Sequence, residues 1–208
     1  MSERGAVYAA PPFRSRDNAA ALDFIRARSF ATITAAQDGR VLVAHAPVFA
    51  INGALMFHLA RANPMLEVAG AGGDITLIFT GPDAYVSPDW YTTPEMVPTW
   101  KYVRVIAGGR SRLLSDDELR GQIAAMSASH EIRLAPKPVW TMGKLSNARA
   151  AALFSAIRGV AVAVDRLDAV HKLSQNRSGE DRDGVIAGLD ARGDADSRAV
   201  AALMRALG

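Results

Sequence analysis

The sequence of 208 residues contains no cysteine. A chain without cysteine cannot form a disulfide, a thiolate metal site or a cysteine nucleophile, and this removes several classes of enzyme. The sequence also lacks an apolar run of the roughly 18 to 20 residues that a membrane-spanning helix needs. Residues 1–13 have no continuous apolar core behind their charges. These absences predict a soluble, cytoplasmic protein that does not enter a membrane.

Strong catalytic and metal-binding motifs are also missing. There is no Walker A sequence, no G-x-S-x-G and no H-E-x-x-H, and the glycine-rich residues 70–74 precede a predicted strand, where a dinucleotide-binding loop would follow one. The four histidines have no tight metal-ligand spacing. We therefore assign no catalytic residue and no metal site, and it stays open whether the protein is an enzyme.

The positive charge of the chain is modest. The formal net charge is +3, only four of the 24 basic residues are lysines, and the arginines are scattered. A tail that binds nucleic acid would show a basic block. DNA binding is therefore permitted but not indicated.

Three β-rich runs between residues 30 and 60 give the clearest structural signal. Asp38-Gly39 and Asn52-Gly53 join them, and these dipeptides favour two-residue hairpin turns. The pattern predicts a three-stranded antiparallel meander in which His45 faces Ala60 and Pro47 faces His58. The histidines would then lie roughly 7 to 8 Å apart. Alternation predicts a core face comprising Leu42, Ala44, Ala46, Val48, Leu55, Phe57 and Leu59.

The remaining pattern adds strands at 74–81, 84–88, 100–114 and 159–170, the third bent at Gly108-Gly109. Helices are expected within the segment 16–30 and from residue 64, after the capping box Ser115/Glu118, in the segment 147–157, and as a C-terminal pair broken near Gly193. The sequence thus predicts a mainly β protein with peripheral helices, built on a small closed or partly closed barrel.

Two polar segments are candidates for ligand binding. Arg61 and Asn63 precede a short helix whose free N–H groups favour an anion, although an ordinary helix start gives the same pattern. Residues 172–177 concentrate donors at the end of the last strand, although a helix cap would also explain them. Together with nearby aromatic residues, these segments suit a flat aromatic ligand that carries a phosphate.

Six segments in chain order resemble one family. The segments are VYAAPPF (7–13), HAP (45–47), ARANP (60–64), GPDAYVSPDWY (81–91), VPTWKY (97–102) and KLSQNRSGEDRDGVIAGL (172–189). They resemble the PaiB family of FMN-binding negative transcriptional regulators. The chain departs from the family pattern at Met65-Leu66, where a polar residue and Trp are usual, at Lys101 in place of a common Asn, and at His171 in place of an aromatic residue.

The resemblance implies an FMN-binding split β-barrel, related to the pyridoxamine 5′-phosphate oxidase fold, that acts as a homodimer. We expect residues 1–175 to form this domain and residues 176–208 to form a helical extension packed on the barrel or the dimer interface. Arg61 and Asn63 are expected to hold the phosphate of FMN. The full set of expected cofactor-binding residues is Arg61, Asn63, Lys172, Ser174, Gln175, Asn176, His45, His58, Trp100 and Tyr102.

Three functions follow from this resemblance. The first is a flavin-binding homodimer that represses transcription, with DNA or another regulator as its partner. The second is an FMN-dependent oxidoreductase acting on a small molecule. The third is a DNA-binding repressor that uses its C-terminal helix pair, which carries few long basic side chains and is more typical of a packing hairpin.

Overall fold

The computed structural model describes residues 9–207. Val7 and Tyr8 of the first family segment lie outside this range. The strands are β1 (Arg14–Ser15), β2 (Phe30–Gln37), β3 (Arg40–Pro47), β4 (Phe49–Ile51), β5 (Ala54–Ala60), β6 (Asp74–Val86), β7 (Thr99–Leu113), β8 (Ile157–Ala163) and β9 (Arg166–Lys172). The helices are α1 (Asn18–Arg28), α2 (Met65–Gly70), α3 (Asp116–Glu131), α4 (Asn147–Ser155), α5 (Gly179–Arg192) and α6 (Ala195–Ala206).

The chain divides into two compact units. Unit 1 comprises Met1–Ala21, Thr80–Val105 and Asp168–Gly208, and unit 2 comprises Leu22–Phe79 and Ile106–Leu167. The expected division into residues 1–175 and 176–208 stays a prediction. Of the described helices, none is long and apolar enough to span a bilayer.

The two short turns in unit 2 are as the sequence predicts. Gln37 pairs with Arg40 across Asp38-Gly39, and Ile51 pairs with Ala54 across Asn52-Gly53. All four turn residues have positive φ, between 48° and 76°. This is the geometry that type I′ turns require, and Asn, Asp and Gly adopt it at the least cost.

The predicted meander is wrong in its second pairing. The run 41–50 breaks at Val48, so that β3 pairs with β2, whereas β5 pairs with β4 and β8. His45 therefore lies opposite Thr32 and His58 opposite Gly159. Pro47 has no N–H to donate to a ladder, and the Val48 N–H bonds the Ser29 carbonyl at 2.8 Å. The chain turns at this point, and the two histidines are not neighbours on paired strands.

The predicted inner face is confirmed apart from one residue. The side chains of Ala44, Ala46, Val48, Leu55, Phe57 and Leu59 are buried, and Leu42 is half-buried. Strict alternation along β3 and β5 produces this face because successive side chains of a strand point to opposite sides.

Two further strand boundaries differ from the prediction. β6 runs without interruption through Gly81-Pro82, where two strands were expected, and the last strand is divided into β8 and β9. A Cβ at Gly109 would lie 1.8 Å from the Ala163 carbonyl oxygen. This close backbone approach accompanies the turn at residues 164–165, where the Asp165 N–H bonds the Gly108 carbonyl at 3.1 Å.

The hydrogen-bonded strand order is β3-β2-β6-β7-β8-β5-β4, and β9 pairs with β1 and β7. The pairs β1–β9, β2–β3, β2–β6, β4–β5, β5–β8 and β7–β8 are antiparallel. Within the described residues, β3 and β4 are the two ends of the path. The prediction of a mainly β protein with peripheral helices is confirmed.

Two helix boundaries predicted from sequence are confirmed in detail. At the start of α3, the Glu118 N–H donates to Ser115 Oγ at 3.2 Å and the Ser115 N–H donates to Glu118 Oε2 at 2.8 Å. This is a complete capping box. The C-terminal hairpin breaks at Gly193, whose φ of 73° ends α5 in the left-handed conformation.

Candidate functional site

The predicted site residues fall into two groups. Unit 2 contains His45, His58, Arg61 and Asn63, and unit 1 contains Trp100, Tyr102, Lys172, Ser174, Gln175 and Asn176.

A cavity of about 220 Å³ in unit 1 collects much of the polar C-terminal segment. β7 supplies Thr99 and Lys101, which share one face of the strand because they are two residues apart. The cavity is lined by Phe13, Tyr91, Met96, Val97, Thr99, Lys101, Lys172, Asn176 and Arg177. We refer to it as the Lys101 cavity.

Lys172 is held in a defined position beside this strand. Its Nζ donates to Thr99 Oγ1 at 3.0 Å and lies 5.9 Å from the centre of the Tyr102 ring. Trp100 is 52% exposed and packs edge-on against Tyr85 at 6.1 Å between ring centroids. The structure therefore brings Lys172 and Tyr102 together, whereas Trp100 makes its aromatic contact with Tyr85.

The turn after β9 is fixed by its own side chains. The Leu173 N–H donates to Gln175 Oε1 at 2.9 Å, and Gln175 Nε2 donates to the His171 carbonyl. Ser174 has a φ of 66°, a left-handed conformation uncommon for a residue other than glycine. Both ends of the Gln175 amide thus stabilise the turn that presents Ser174 and Asn176.

Positive charge in the Lys101 cavity is not neutralised by the described protein. Lys101 is only 3% exposed, and burial, followed by the charges of Lys172 and Arg177, lowers its pKa to about 8. Within residues 9–207, no Asp or Glu forms an ion pair with these three cations. A buried charge without a partner is costly, and a bound anion would offset that cost.

Two buried hydroxyl groups beside these cations have no hydrogen-bond partner. They are Tyr91 Oη and Ser174 Oγ. Burial raises the pKa of the Tyr91 phenol despite the opposing influence of Ser174 and Arg177. Ser174 is near enough to act on Tyr91, but the two groups lack hydrogen-bond geometry. Buried polar groups are usually satisfied, so these hydroxyls point to a ligand.

A rigid support holds Tyr91 in place. The neighbouring Thr92 and Thr93 donate four hydrogen bonds to the Asp181 carboxylate, at 2.7 to 2.9 Å, and these bonds lower its pKa to about 2. On the other side, the Trp90 ring lies so close to α5 that a Cβ at Gly188 would be 2.2 Å from it. The loop that carries Tyr91 is therefore fixed to α5.

The unit 2 residues are arranged differently. Arg61 Nε donates to the Ser155 carbonyl at 2.7 Å, and its exposed side chain lines a cavity of about 210 Å³ together with Asp116 and Arg120. Asn63 Oδ1 accepts the Met65 N–H at 3.0 Å and so caps the six-residue α2. The predicted helix start at residue 64 agrees with the structure to within one residue, whereas the contact of Asn63 with phosphate stays a prediction.

The two predicted histidines have different surroundings. His45 is exposed, whereas His58 is half-buried and its Nδ1 has no partner. Burial lowers the pKa of His58, and the Gln122 side chain opposes this shift. Among residues 9–207, no group of three His, Asp or Glu side chains is arranged to hold a metal ion.

The donors in the Lys101 cavity fit FMN. A phosphate accepts hydrogen bonds from ammonium and guanidinium groups, and a flavin ring edge accepts bonds from hydroxyl and amide groups. Lys101, Tyr91 and Arg177 were not among the predicted ligands. The departure from the family pattern at Lys101 was a sequence signal for the first of these residues. Arg177 belongs to the polar segment 172–177, and Tyr91 ends the family segment 81–91.

Comparison with known proteins agrees with this chemistry. Residues 7–166 match the family described as "Putative FMN-binding domain". The chain is 30% identical over 190 residues, 88% of each sequence, to "Protease synthase and sporulation protein PAI 2" of Bacillus subtilis (strain 168). The chain therefore belongs to this FMN-binding domain family and is a PaiB-like protein that binds a flavin, with FMN as its cofactor.

Solved structures of distant proteins share the fold. The FAD and heme binding protein from Mycobacterium smegmatis has a TM-score of 0.59 at 16% identity, covering 87% of this chain and 80% of that one. The flavocytochrome Anf3 from Azotobacter vinelandii has a TM-score of 0.60 at 15% identity, covering 86% and 75%. The prediction of a split barrel of the flavin-binding type is confirmed.

Proposed function

We propose that this protein is a negative transcriptional regulator of the PaiB type that acts in the cytoplasm as an FMN-binding homodimer. Bound FMN supplies a redox-active ring that can accept and donate electrons. The observation that carries the proposal is the Lys101 cavity, where un-neutralised cations meet buried hydroxyl groups without partners. The protein binds the flavin, and the redox state of the flavin changes how the protein binds its regulatory partner or DNA.

Each group of predicted residues offers hydrogen-bond donors to a flavin within its own unit. In unit 2, Arg61 keeps the terminal nitrogens of its guanidinium group for an anion while its Nε bonds Ser155. In unit 1, Lys172 and Asn176 line the cavity and Ser174 holds an unused hydroxyl. Charge-assisted hydrogen bonds of this kind each contribute roughly 1.5–3 kcal/mol.

Three of the four arginines in α5 and α6 bond groups of the hairpin itself, and this supports a regulator that acts through a partner. Arg192 pairs with Asp194, Arg205 pairs with Asp190, and Arg198 Nη1 donates to the Gly193 carbonyl. Arginines held in this way have fewer donors left for the phosphates of DNA. The name of the Bacillus subtilis relative, a sporulation protein, agrees with a regulatory output.

An apolar strand in unit 2 supports the homodimer. Phe30, Val41 and Val43 are each more than half exposed on β2 and β3, and β3 ends the strand path among the described residues. Exposed apolar strands at the end of a sheet are a common place for association. Light scattering of the purified protein should give twice the mass of one chain, and a monomer at micromolar concentration would contradict this part of the proposal.

Flavin binding is tested by titrating FMN while its fluorescence is recorded. Lys172→Ala and Arg61→Ala should each weaken FMN binding at least tenfold, which corresponds to about 1.4 kcal/mol. Lys144→Ala is the matched control because it removes an exposed lysine that does not line either cavity. Unchanged affinity in both test variants would remove these residues from the site.

The regulatory output is tested by gel shift and by pull-down, with FMN oxidised and then photoreduced. The proposal expects partner or promoter-DNA binding to change with the state of the flavin. Turnover of NAD(P)H with FMN, without any effect on partners or DNA, would instead favour a flavin-dependent oxidoreductase.

A further inference from the structure

The Lys101 cavity has the composition of a binding site for a doubly charged anion. Lys101, Lys172 and Arg177 line it, and within residues 9–207 none of them is paired with a carboxylate. Lys101 has a 3% exposed residue surface, so water screens its charge poorly. Three un-neutralised cations around one cavity favour a ligand with more than one negative charge.

The unpartnered hydroxyls show where further acceptor atoms would lie. Ser174 is fully buried and Tyr91 is only 9% exposed, yet Ser174 Oγ and Tyr91 Oη lack partners. The guanidinium carbon of Arg177 and the Nζ of Lys101 each lie 5.9 Å from the centre of the Tyr91 ring. Lys101 and Arg177 therefore lie beside the ring of Tyr91, whose hydroxyl has no partner.

We propose that the Lys101 cavity binds a phosphate monoester, with Lys101 and Arg177 contacting its oxygens and the Tyr91 hydroxyl donating to one of them. A phosphate monoester carries nearly two negative charges and three strong acceptor oxygens. These match the surplus of charge and donors better than a singly charged carboxylate does. The cavity of about 220 Å³ is smaller than the roughly 300–1,000 Å³ typical of sites for whole drug-sized ligands, as expected for a phosphate end group.

The cationic groups are positioned before the ligand arrives. Thr99 Oγ1 accepts from Lys172 Nζ at 3.0 Å, and Asp181 fixes Thr92 and Thr93 next to Tyr91. Burial and the neighbouring cations lower the pKa of Lys101, which agrees with an ammonium group whose charge is not balanced by the free protein. Donors held in place lose less freedom when they bind.

The test uses inorganic phosphate and the full chain at pH 7, measured by isothermal titration calorimetry. Lys101→Met keeps the length of the side chain without its charge and should weaken phosphate binding at least tenfold. Arg177→Gln, at an exposed position where folding is less at risk, should weaken it at least threefold. Lys144→Met is the control and should bind as the unaltered chain does. Absent binding, or equal binding by all four proteins, would overturn the proposal.

The phosphate group could belong to FMN or to a second phosphorylated molecule, and only the first source rests on the proposed function. Competition of phosphate with FMN, but not with riboflavin, would identify the FMN phosphate. Equal phosphate binding by the flavin-loaded and flavin-free protein, lost in Lys101→Met, would identify a second ligand. Either result supports the site.

The same titrations separate the two proposals. Phosphate binding that depends on Lys101, in a protein that binds no flavin, would retain this site and reject the proposed function. Flavin binding without phosphate binding at the Lys101 cavity would reject this phosphate site and leave the proposed function standing.

Discussion

The cation-lined cavities of the two units differ in how their charges are compensated. In unit 2, Arg61 bonds the Ser155 carbonyl, Arg158 pairs with Asp116 at 3.1 Å, and the Arg120 guanidinium lies 4.4 Å from the centre of the Phe154 ring. In unit 1, Lys101, Lys172 and Arg177 have no carboxylate partner within the described residues.

This difference distinguishes cations that stabilise a fold from cations that are available to a ligand. Lys101, Lys172 and Arg177 each lie 5.9 Å from the centre of an aromatic ring, but a ring carries no net charge, whereas the unit 2 cavity includes the Asp116 carboxylate. A nearly buried ammonium group without an anion destabilises the free protein. Functional sites often contain such destabilising groups because the groups bind a ligand. The comparison therefore assigns the anion-binding role more strongly to unit 1 than to unit 2.

The largest expected effect comes from disturbing the support of Tyr91 in unit 1. Gly188→Ala should lower the free energy of unfolding by about 3 kcal/mol, because the new Cβ would overlap the Trp90 ring, which lies 2.2 Å away. Gly121→Ala in α3 is the control. Its Cβ has no neighbour within 4 Å and should stabilise the helix by up to about 1 kcal/mol. Urea unfolding measures both, and equal effects would contradict the tight contact.

Lys101→Met should stabilise the free protein by about 2 kcal/mol at pH 7, because it removes a buried charge without a partner. The pKa of Lys101 is lowered from 10.5 to about 8, so the unfolded chain binds the extra proton between these values. The free energy of unfolding of the unaltered protein should therefore rise between pH 8 and pH 10.5. The difference in stability between the two proteins should be largest below pH 8 and should disappear by about pH 10.5. A constant difference would contradict this account.

The unaltered Lys101 also predicts a pH dependence of binding. Phosphate affinity should fall as the pH rises through about 8, because the ammonium group loses its charge. Lys172, Arg177, Asp181 and the Tyr91 phenol also act on this cavity or its lining. Calorimetry from pH 7 to 9.5 should show at least a fivefold loss, and Lys101→Met should show a smaller one.

Asp181→Asn should have a moderate effect, lowering the melting temperature by about 3 °C at pH 7. Asn lacks the charge that strengthens the bonds from Thr92 and Thr93. The pKa of Asp181 is lowered to about 2, so its contribution is complete above about pH 4 and is lost as the pH falls toward 2. Melting curves of the two proteins should therefore converge near pH 2.

The smallest effect is expected from the corresponding change in unit 2. Arg120→Met should alter phosphate binding less than twofold, because the Asp116 carboxylate lines the same cavity and repels an anion. Calorimetry under the conditions used for Lys101→Met gives a direct comparison. A loss as large as that of Lys101→Met would show that the cavities do not differ as proposed.

Local features of the fold could be predicted from the sequence. Asp38-Gly39 and Asn52-Gly53 specify their turns because few residues adopt positive φ, and Ser115/Glu118 specifies a helix start through two reciprocal hydrogen bonds. Partner choice between strands could not be predicted in the same way. The break at Val48 depends on a bond to Ser29, which lies outside the run of strand-forming residues.

The candidate site was predictable only in part for the same reason. A polar stretch such as residues 172–177 is visible in the sequence because it follows an apolar strand. The burial of Lys101 and the contact of Trp90 with Gly188 arise from tertiary packing. Lysine is rarely buried, so the sequence gives no reason to expect a buried Lys101.

The most direct test is the free energy of unfolding of the unaltered protein and of Lys101→Met, each measured at pH 7 with and without inorganic phosphate. A ligand that binds only the folded state stabilises it by an amount set by its concentration and affinity. Phosphate should stabilise the unaltered protein and reduce or remove the advantage of Lys101→Met. Equal stabilisation of both proteins, or of neither, would contradict an anion site centred on Lys101.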